Sequence, residues 1–160
     1  AKVGVATGLI LEMYEFLRQS SLDISSLTSM GAIQQRDQQQ WEGEIRRVFT
    51  QASDEVLLLE ERVKKNDPIL HRQRLEQIAL HWEEIRALLN EAPPAESVRQ
   101  LLAGLGGPIL PEDIGITRDV VLDSLAYAKE VRARYTILQL LWDLGLLDAY
   151  IKLYATRHGT

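Results

Sequence analysis

The stretch GLGGPILPEDIGITRDVVLDSLAYAKEVRARYTILQLLWDLGLLDAY, residues 104–150, decides the fold because it holds the clearest helix boundaries in the chain. Its glycines and Pro108 end a preceding helix, since glycine adopts the left-handed cap and proline cannot continue the helical hydrogen bonds. Thr117 is the expected N-cap of the next helix. Asp119 follows in the first turn, where the positive end of the helix dipole favours a carboxylate.

The helix that begins after Thr117 is expected to bury one face. Its apolar or small residues recur at helical spacing, and they are Val121, Leu125, Ala128 and Tyr135. The charged residues expected outside this face are Asp123, Lys129 and Glu130. We expect Arg132 and Arg134 to close this helix, and Gly145 to end the next one.

A longer periodic segment lies earlier in the chain. Steps of three and four predict one helix over 41–63, with the apolar face Trp41, Ile45, Val48, Ala52, Val56, Leu59 and Val63. Asp67 and Pro68 start another helix, in which Leu75 to Leu89 follow the same spacing. We expect the two helices to pack as an antiparallel hairpin. A solvated start of the first helix is predicted for Gln34, Gln35, Gln38, Gln39 and Gln40.

The other segments also predict helices. Residues 2–20 carry a helical stripe, residues 20–31 form a connection with a short helical turn at most, and further helices are expected at 95–103 and 146–154. No segment shows the alternation of polar and apolar residues that is typical of a strand. Residues 1–160 are therefore predicted to form one all-α domain, a multi-helix bundle, which cannot contain a nucleotide-binding sheet.

Composition excludes several classes of partner. The 160 residues carry a net charge of -5 with acidic and basic residues interspersed, so neither nucleic-acid binding nor a polybasic membrane patch is expected. No apolar run approaches the roughly 20 residues that cross a bilayer. The sequence contains no cysteine, which excludes disulfides and thiolate chemistry and is compatible with a cytoplasmic protein.

No catalytic motif stands out. The segment from Gly104 to Pro108 lacks the preceding strand of a dinucleotide fingerprint and is interpreted as a cap and turn. His71 and His81 are ten residues apart and cannot chelate one metal from a single helix. His81 has one-turn spacing to Glu84, but we interpret it as a surface histidine. Neither a catalytic residue, a cofactor-binding residue nor a metal ligand is predicted within the chain.

Two blocks of sequence resemble one known family. Gly106-Gly107-Pro108, Ile114-Gly115 and the segment Arg132-x-Arg134-x-Thr136 are similar to the C-terminal end of glycerol-1-phosphate dehydrogenases. These enzymes belong to the superfamily of iron-containing alcohol dehydrogenases and dehydroquinate synthases. Residues 1–6, AKVGVA, resemble the continuation of the family motif His-Gly-Ala-Lys-Val-Gly, whose metal-binding histidine would precede Ala1 by two places.

The resemblance implies the C-terminal helical domain of a dehydroquinate synthase-like enzyme, with an N-terminal nucleotide-binding domain as its partner and the active site in the cleft between them. Such enzymes reduce dihydroxyacetone phosphate to sn-glycerol-1-phosphate with NAD(P) and a divalent metal (Zn, Ni or Fe) held by an aspartate and two histidines. None of these ligands can be matched in this chain, and the glycine-rich cofactor loop is absent. We therefore expect the fragment to bind neither group and to be inactive alone, and we leave a homo-oligomer open.

Three residues are candidates for the substrate cleft: Lys2, Arg132 and Arg134. Guanidinium groups pair in bidentate geometry with phosphates and carboxylates. The arginines are therefore expected to bind a phosphate-bearing ligand, or to form surface or interdomain salt bridges. Lys2 would lie near the metal-binding histidine, or be solvated at the helix end. Small residues near it, Gly4, Ala6 and Gly8, permit tight helix packing or lie against the metal and substrate pocket.

Two alternative functions remain open. A stand-alone helical bundle that binds a protein partner would cover its apolar stripes, whereas half of a dehydrogenase would expose the face on which its missing domain docks. A member of the same superfamily could also act on a plain polyol or catalyse the dehydroquinate synthase reaction. The Arg-x-Arg-x-Thr segment favours the phosphate-bearing substrate of the glycerol enzyme.

Overall fold

The computed structural model describes residues 1–29, 33 and 36–158, and this part of the chain contains helices but no β-strand. The prediction of an all-α, multi-helix bundle is confirmed. In chain order the α-helices are α1 (Lys2–Gln19), α2 (Gln38–Phe49), α3 (Ser53–Val63), α4 (Pro68–Leu80), α5 (Trp82–Glu91), α6 (Ala95–Gly104), α7 (Arg118–Tyr127), α8 (Ile137–Asp143) and α9 (Leu147–Arg157). None of these described helices combines the length and hydrophobicity needed to span a bilayer.

One large apolar core lies among α1, α4, α5, α7, α8 and α9. Its most deeply buried apolar side chains, each 2% exposed or less, include Leu17, Leu75, Leu141 and Tyr150. A smaller core lies between α2 and α3 and consists of Trp41, Ile45 and Val56. Complete burial of one large apolar side chain stabilises the fold by about 1.5–3 kcal/mol, so the large core determines which helices come together.

Several helix boundaries lie where the sequence predicts them. The Asp67 carboxylate accepts hydrogen bonds from the backbone amides of Ile69 and Leu70, at 2.8 and 3.2 Å, and so caps α4. Gly106 has a φ of 69° after α6 and Gly145 a φ of 70° after α8, the left-handed conformation that favours glycine. Thr117 is the N-cap of α7, but its hydroxyl group makes no capping hydrogen bond.

The start of the second helical segment is only partly described. Gln34 and Gln35, which were predicted to be solvated, lie outside the described residues. Gln38, Gln39 and Gln40 form the exposed first turn of α2. Asp37 caps this turn by accepting a hydrogen bond from the Gln40 amide at 2.9 Å.

Helix α1 packs closely against α6 because two of its residues are glycine. A Cβ atom added at Gly4 would lie 3.1 Å from Leu102, and one added at Gly8 would lie 3.4 Å from Arg99. Arg99 also pairs with Glu12 of α1 at 2.7 Å. The glycines therefore permit the tight helix packing that was one of the two interpretations of the small residues.

The prediction of one helix over 41–63 is wrong, because the segment forms two helices, α2 and α3. Thr50 interrupts it with a φ of 45°, and a short 3-10 turn, Thr50–Ala52, follows. The turn folds α3 back onto α2, so that Ile45 and Val56 share the small core. The apolar spacing continues across the turn because residues on both sides of it face this core.

The predicted antiparallel hairpin is also wrong. Helix α3 packs mainly against α2, whereas α4 packs against α5 and α8. The helix predicted from Pro68 to Leu89 is interrupted at His81, whose φ of -107° and ψ of 19° are not helical. Polar contacts explain the orientation of α4, because His71 and Arg74 both bind Asp143 of α8.

The helix after Thr117 ends earlier than predicted, at Tyr127. Lys129 and Glu130, which were expected outside, are 5% and 4% exposed, while Ala128 and Tyr135, expected on the buried face, are exposed. Helical spacing fails here because the chain leaves the α-helix and forms a 3-10 turn, Ala128–Glu130. This turn directs the two charged side chains inward, where other polar groups bind them.

Replacing Thr50 with glycine is expected to stabilise the chain. A threonine at a φ of 45° is strained, and such strain costs on the order of 1 kcal/mol. Thr50 is exposed, so little packing is lost, and urea denaturation should show a free energy of unfolding that is higher by about 1 kcal/mol. The control is Gln51→Gly at the exposed neighbouring position, where φ is not positive and glycine should destabilise. Equal destabilisation by both substitutions would contradict this explanation of the turn.

Candidate functional site

The three predicted cleft residues all lie on the surface. Lys2 is the first residue of α1, and Arg132 and Arg134 lie between the turn Ala128–Glu130 and α8. All three side chains are exposed, and within the described part of the chain none of them forms an ion pair or a side-chain hydrogen bond. The two arginines lie two residues apart on one segment, and the structure describes no contact between them and Lys2.

Residues 131–136 form a short non-helical connection that we call the arginine arm. It is six residues long and presents the side chains of Arg132 and Arg134 to solvent. Both ends of the arm are attached to buried charged groups, although the arm itself is exposed. The arrangement of the two guanidinium groups therefore depends on side chains that lie elsewhere in the fold.

The start of the arm is held by a buried polar group that we call the lysine cluster: Lys65, Asn66, Lys129 and Glu130. Each member is 8% exposed or less. Lys65 Nζ donates hydrogen bonds to the backbone oxygen of Lys129 and to that of Arg132, the latter at 3.1 Å. One ammonium group thus binds both the turn that precedes the arm and the second residue of the arm.

The remaining members of the lysine cluster bind one another. Asn66 Nδ2 donates to Glu130 at 2.9 Å, and Lys129 Nζ donates to Asn66 Oδ1 at 3.1 Å and also to Glu130. Lys65 Nζ lies 3.8 Å from the same carboxylate. Glu130 is therefore shared by two ammonium groups and is their buried counter-ion.

Burial and pairing shift the pKa values within the lysine cluster. Burial lowers the pKa of Lys65 and of Lys129, and this effect exceeds the opposing attraction of Glu130. Burial alone would raise the pKa of Glu130, but Lys129, Lys65 and the hydrogen bond from Asn66 together outweigh it, so the pKa is lowered. Glu130 is therefore ionised at neutral pH, as a counter-ion must be.

The end of the arm is held by Asp143 of α8, whose side chain has no exposed surface. Arg74 donates through Nε and Nη2 to the two carboxylate oxygens, each at 2.8 Å. The Tyr135 hydroxyl donates to Oδ2 at 2.8 Å and Gln139 Nε2 donates to Oδ1 at 3.1 Å. We call these four residues the aspartate network; they connect α4, the arm and α8.

The surroundings of Asp143 reinforce this connection. His71 Nε2 lies 2.9 Å from the backbone oxygen of Asp143, and the His71 ring packs against Trp142 with ring centroids 4.9 Å apart. Removal of the Tyr135 hydroxyl group from water, together with the adjacent Asp143 charge, raises the pKa of Tyr135 well above its usual range, although the residue as a whole is exposed. Burial acts to lower the pKa of Arg74, but the hydrogen bonds and charge of Asp143 raise it overall. Arg74 and Asp143 are thus a charged pair and Tyr135 a neutral donor.

The described residues do not supply the set of three ligands for the metal that the resemblance implies. In the described ranges there is no group of three His, Cys, Asp or Glu residues that could hold a metal ion. His81 is at the surface as predicted, with Nδ1 3.2 Å from Glu84. The glycine segment after α6 follows a helix and contains the left-handed Gly106, so its interpretation as a cap and turn is confirmed.

Chemically, the arginine arm is suited to bind an oxyanion. Two guanidinium groups without internal partners can each donate paired hydrogen bonds to phosphate or carboxylate oxygens. The backbone that carries them is attached at both ends, which reduces the entropy lost when a ligand orders the site.

The sequence prediction missed the residues that hold the arm, namely Lys65, His71, Arg74 and Asp143. The burial of His71 could have been predicted, because it precedes Leu75 and Ile78 by four and seven residues on one face of α4. Asp143 follows Gln139 by one helical turn within a mostly apolar segment, which also indicates a shared buried face. Lys65 lies in a turn, where no periodicity indicates burial.

Comparison with known proteins relates the chain to one group of enzymes. It is 31% identical over 149 residues, 92% of its length, to the glycerol-1-phosphate dehydrogenase of Geobacillus stearothermophilus, whose name specifies NAD(P)+. Alignments over 44% and 49% of the chain are 29% and 30% identical to proteins of the same name from Bacillus licheniformis and Bacillus velezensis. The chain spans 28% of the length of the first relative, and the alignments span 18% and 20% of the other two. No family model matches the chain, and neither does a solved structure.

Glu130→Gln is expected to lower the free energy of unfolding by about 3 kcal/mol at pH 7, because two buried ammonium groups lose their counter-ion. The pKa of Glu130 is lower in the folded chain than the ordinary value that it has in an unfolded chain, because of Lys129, Lys65 and Asn66. Its stabilising contribution is therefore complete above the unfolded value and is lost as pH falls through the folded value. Urea denaturation over a pH series should show the difference from wild type shrinking in acid.

The control for this prediction is Glu61→Gln, which neutralises an exposed carboxylate near the lysine cluster. It should leave the free energy of unfolding almost unchanged. If the two variants were equally stable at pH 7, the cluster would not depend on the Glu130 charge.

Proposed function

The chain is a relative of the glycerol-1-phosphate dehydrogenases, and on this premise we propose that it is the helical part of such an enzyme. In this proposal the rest of the protein supplies the nucleotide-binding domain, the NAD(P) site and the metal ligands, and the helices form one wall of the cleft. The reaction is the reduction of dihydroxyacetone phosphate to sn-glycerol-1-phosphate, in the cytoplasm, for phospholipid biosynthesis. The alignment along 92% of the chain supports the assignment.

The arginine arm carries the proposal, because it accounts for a substrate with a phosphate group. The side chains of Arg132 and Arg134 are exposed and have no hydrogen-bond or ion-pair partner among the described residues. A phosphate is a ligand that a pair of guanidinium groups recognises in bidentate geometry. We therefore assign the arm the role of binding the phosphate of dihydroxyacetone phosphate, which makes this substrate preferable to a plain polyol. The name shared by the three relatives favours it over the reaction of dehydroquinate synthases.

An exposed apolar face is proposed as the docking surface for the nucleotide-binding domain. Val3 of α1 is 81% exposed, and Leu101 and Leu105, four residues apart at the end of α6, are 65% and 79% exposed. The contact of Gly4 with Leu102 places the start of α1 beside these residues. A stand-alone interaction domain is less well supported, because the sequence similarity extends over nearly the whole chain.

The arm is tested by Arg132→Ala and Arg134→Ala in the complete polypeptide that contains this chain. Each lost charge-assisted hydrogen bond costs about 1.5–3 kcal/mol, so each substitution should raise the KM for dihydroxyacetone phosphate roughly tenfold or more. Arg157→Ala, at the exposed end of α9, is the control and should leave KM unchanged. An unaltered KM in the Arg132→Ala/Arg134→Ala double variant would exclude the phosphate-binding role.

The proposal that the rest of the protein supplies the cofactor and metal sites is tested by comparing this chain with the complete polypeptide. Mixed with dihydroxyacetone phosphate and NADH or NADPH, the 160-residue chain should give no turnover, because it lacks the proposed cofactor and metal sites, whereas the complete protein should be active. Turnover by the 160-residue chain alone would overturn the assignment.

The docking surface is tested separately. Leu101→Lys/Leu105→Lys in the 160-residue chain should reduce the binding of a hydrophobic dye if these residues form the docking surface.

A further inference from the structure

We infer that Lys65 is a positioning residue for the arginine arm, whose ammonium group sets the direction in which Arg132 and Arg134 meet a phosphate-bearing substrate. The inference rests on the proposed function and adds to it a residue that neither its sequence context nor the comparisons single out. Lys65 touches no substrate in this arrangement. It acts through the backbone of the arm.

The hydrogen bonds of Lys65 provide the geometric argument. Its Nζ atom donates to the backbone oxygens of Lys129 and Arg132, which are three residues apart. Carbonyl groups at the end of a helical turn lack partners within the turn, and a cation is favourable there. Because the carbonyl group of Arg132 is held directly, the orientation of this residue depends on the ammonium group.

Lys65 is itself held in place. It is 8% exposed and its Nζ lies 3.8 Å from Glu130. Two hydrogen bonds fix the next residue, Asn66. Its backbone amide donates to the Glu60 carboxylate at 2.9 Å, and its side chain donates to the Glu130 carboxylate at 2.9 Å. The donor that binds the arm is therefore fixed before any ligand arrives.

Loss of the ammonium group would release one end of the arm and leave the other attached. Tyr135 would still donate to Asp143, and Asn66, Lys129 and Glu130 would still bind one another. Lys65→Met removes the donor and the charge but keeps an unbranched side chain of similar length. This variant should therefore alter the arm with little change in the core.

The experiment uses the complete enzyme and combines kinetics with hydrogen exchange. Lys65→Met should raise the KM for dihydroxyacetone phosphate about tenfold with kcat within about twofold of wild type, and peptides covering residues 128–136 should exchange faster. Lys64→Met is the matched control, because Lys64 is the exposed neighbour of Lys65, and it should change neither quantity. Lys65→Arg, which keeps the charge and the donors, should keep KM within about threefold of wild type.

A double-mutant cycle separates positioning from general destabilisation. In the Arg132→Ala/Arg134→Ala background, Lys65→Met should raise KM no further, since the groups that it positions are gone. An equal rise in both backgrounds, or unchanged exchange in residues 128–136, would overturn the inference. If Lys65→Met does not fold, the same measurements are made on Lys65→Gln, and the same two results would overturn the inference.

The inference and the proposed function can fail separately. If Arg132→Ala/Arg134→Ala leaves KM unchanged, or the complete protein does not reduce dihydroxyacetone phosphate, the proposed function fails. The hydrogen-exchange comparison of Lys65→Met with Lys64→Met then decides alone whether Lys65 holds the arm.

Discussion

Burial of the Asp143 carboxylate is the constraint on which the arrangement of α4, α8 and the arginine arm depends. Removing a carboxylate from water costs several kcal/mol unless charged and polar donors surround it. These donors come from Arg74, Tyr135 and Gln139, which lie on α4, on the arm and on α8. The three parts of the chain must therefore meet around Asp143 in every folded molecule.

The lysine cluster imposes a similar constraint at the other end of the arm. Replacing a buried ion pair with apolar residues is often neutral or stabilising, so the pair of Lys129 and Glu130 is weak evidence of a stability role. Its geometric effect is clearer, because Lys65 joins it to the backbone of Arg132. Two buried ionic groups thus flank six exposed residues, which explains how a non-helical surface segment acquires a defined conformation.

Local chemistry in the sequence predicted most helix ends correctly. Asp67 with Pro68, and the glycines 106 and 145, carry enough information within a few residues to place a cap or a stop. The all-α class also followed from sequence. Surface or interdomain salt bridges of Arg132 and Arg134 were among the alternatives; both side chains are exposed, and neither forms an ion pair within the described part of the chain.

Tertiary contacts determined the features that the sequence did not predict. The strained turn at Thr50 exists because α3 folds back onto α2, and no local signal competes with the continuous apolar spacing across it. Lys129 and Glu130 were placed outside because charged residues usually face water. Their burial requires Lys65 and Asn66, which lie more than 60 residues earlier in the chain, and a single sequence does not show such a pairing.

The close contact between α1 and α6 has a mechanical consequence. Leu102 touches the start of α1 at Gly4, and its backbone oxygen would lie 3.2 Å from a Cβ atom added at Gly107 in the turn that follows α6. The contact with Gly4 is made by the Leu102 side chain, whereas the contact with Gly107 is made by the Leu102 backbone, which also accepts a hydrogen bond from the Gly107 amide at 2.8 Å. A displacement of the first turn of α1 therefore reaches α6 through the Leu102 side chain, while the glycine turn moves with α6 because the backbone joins them.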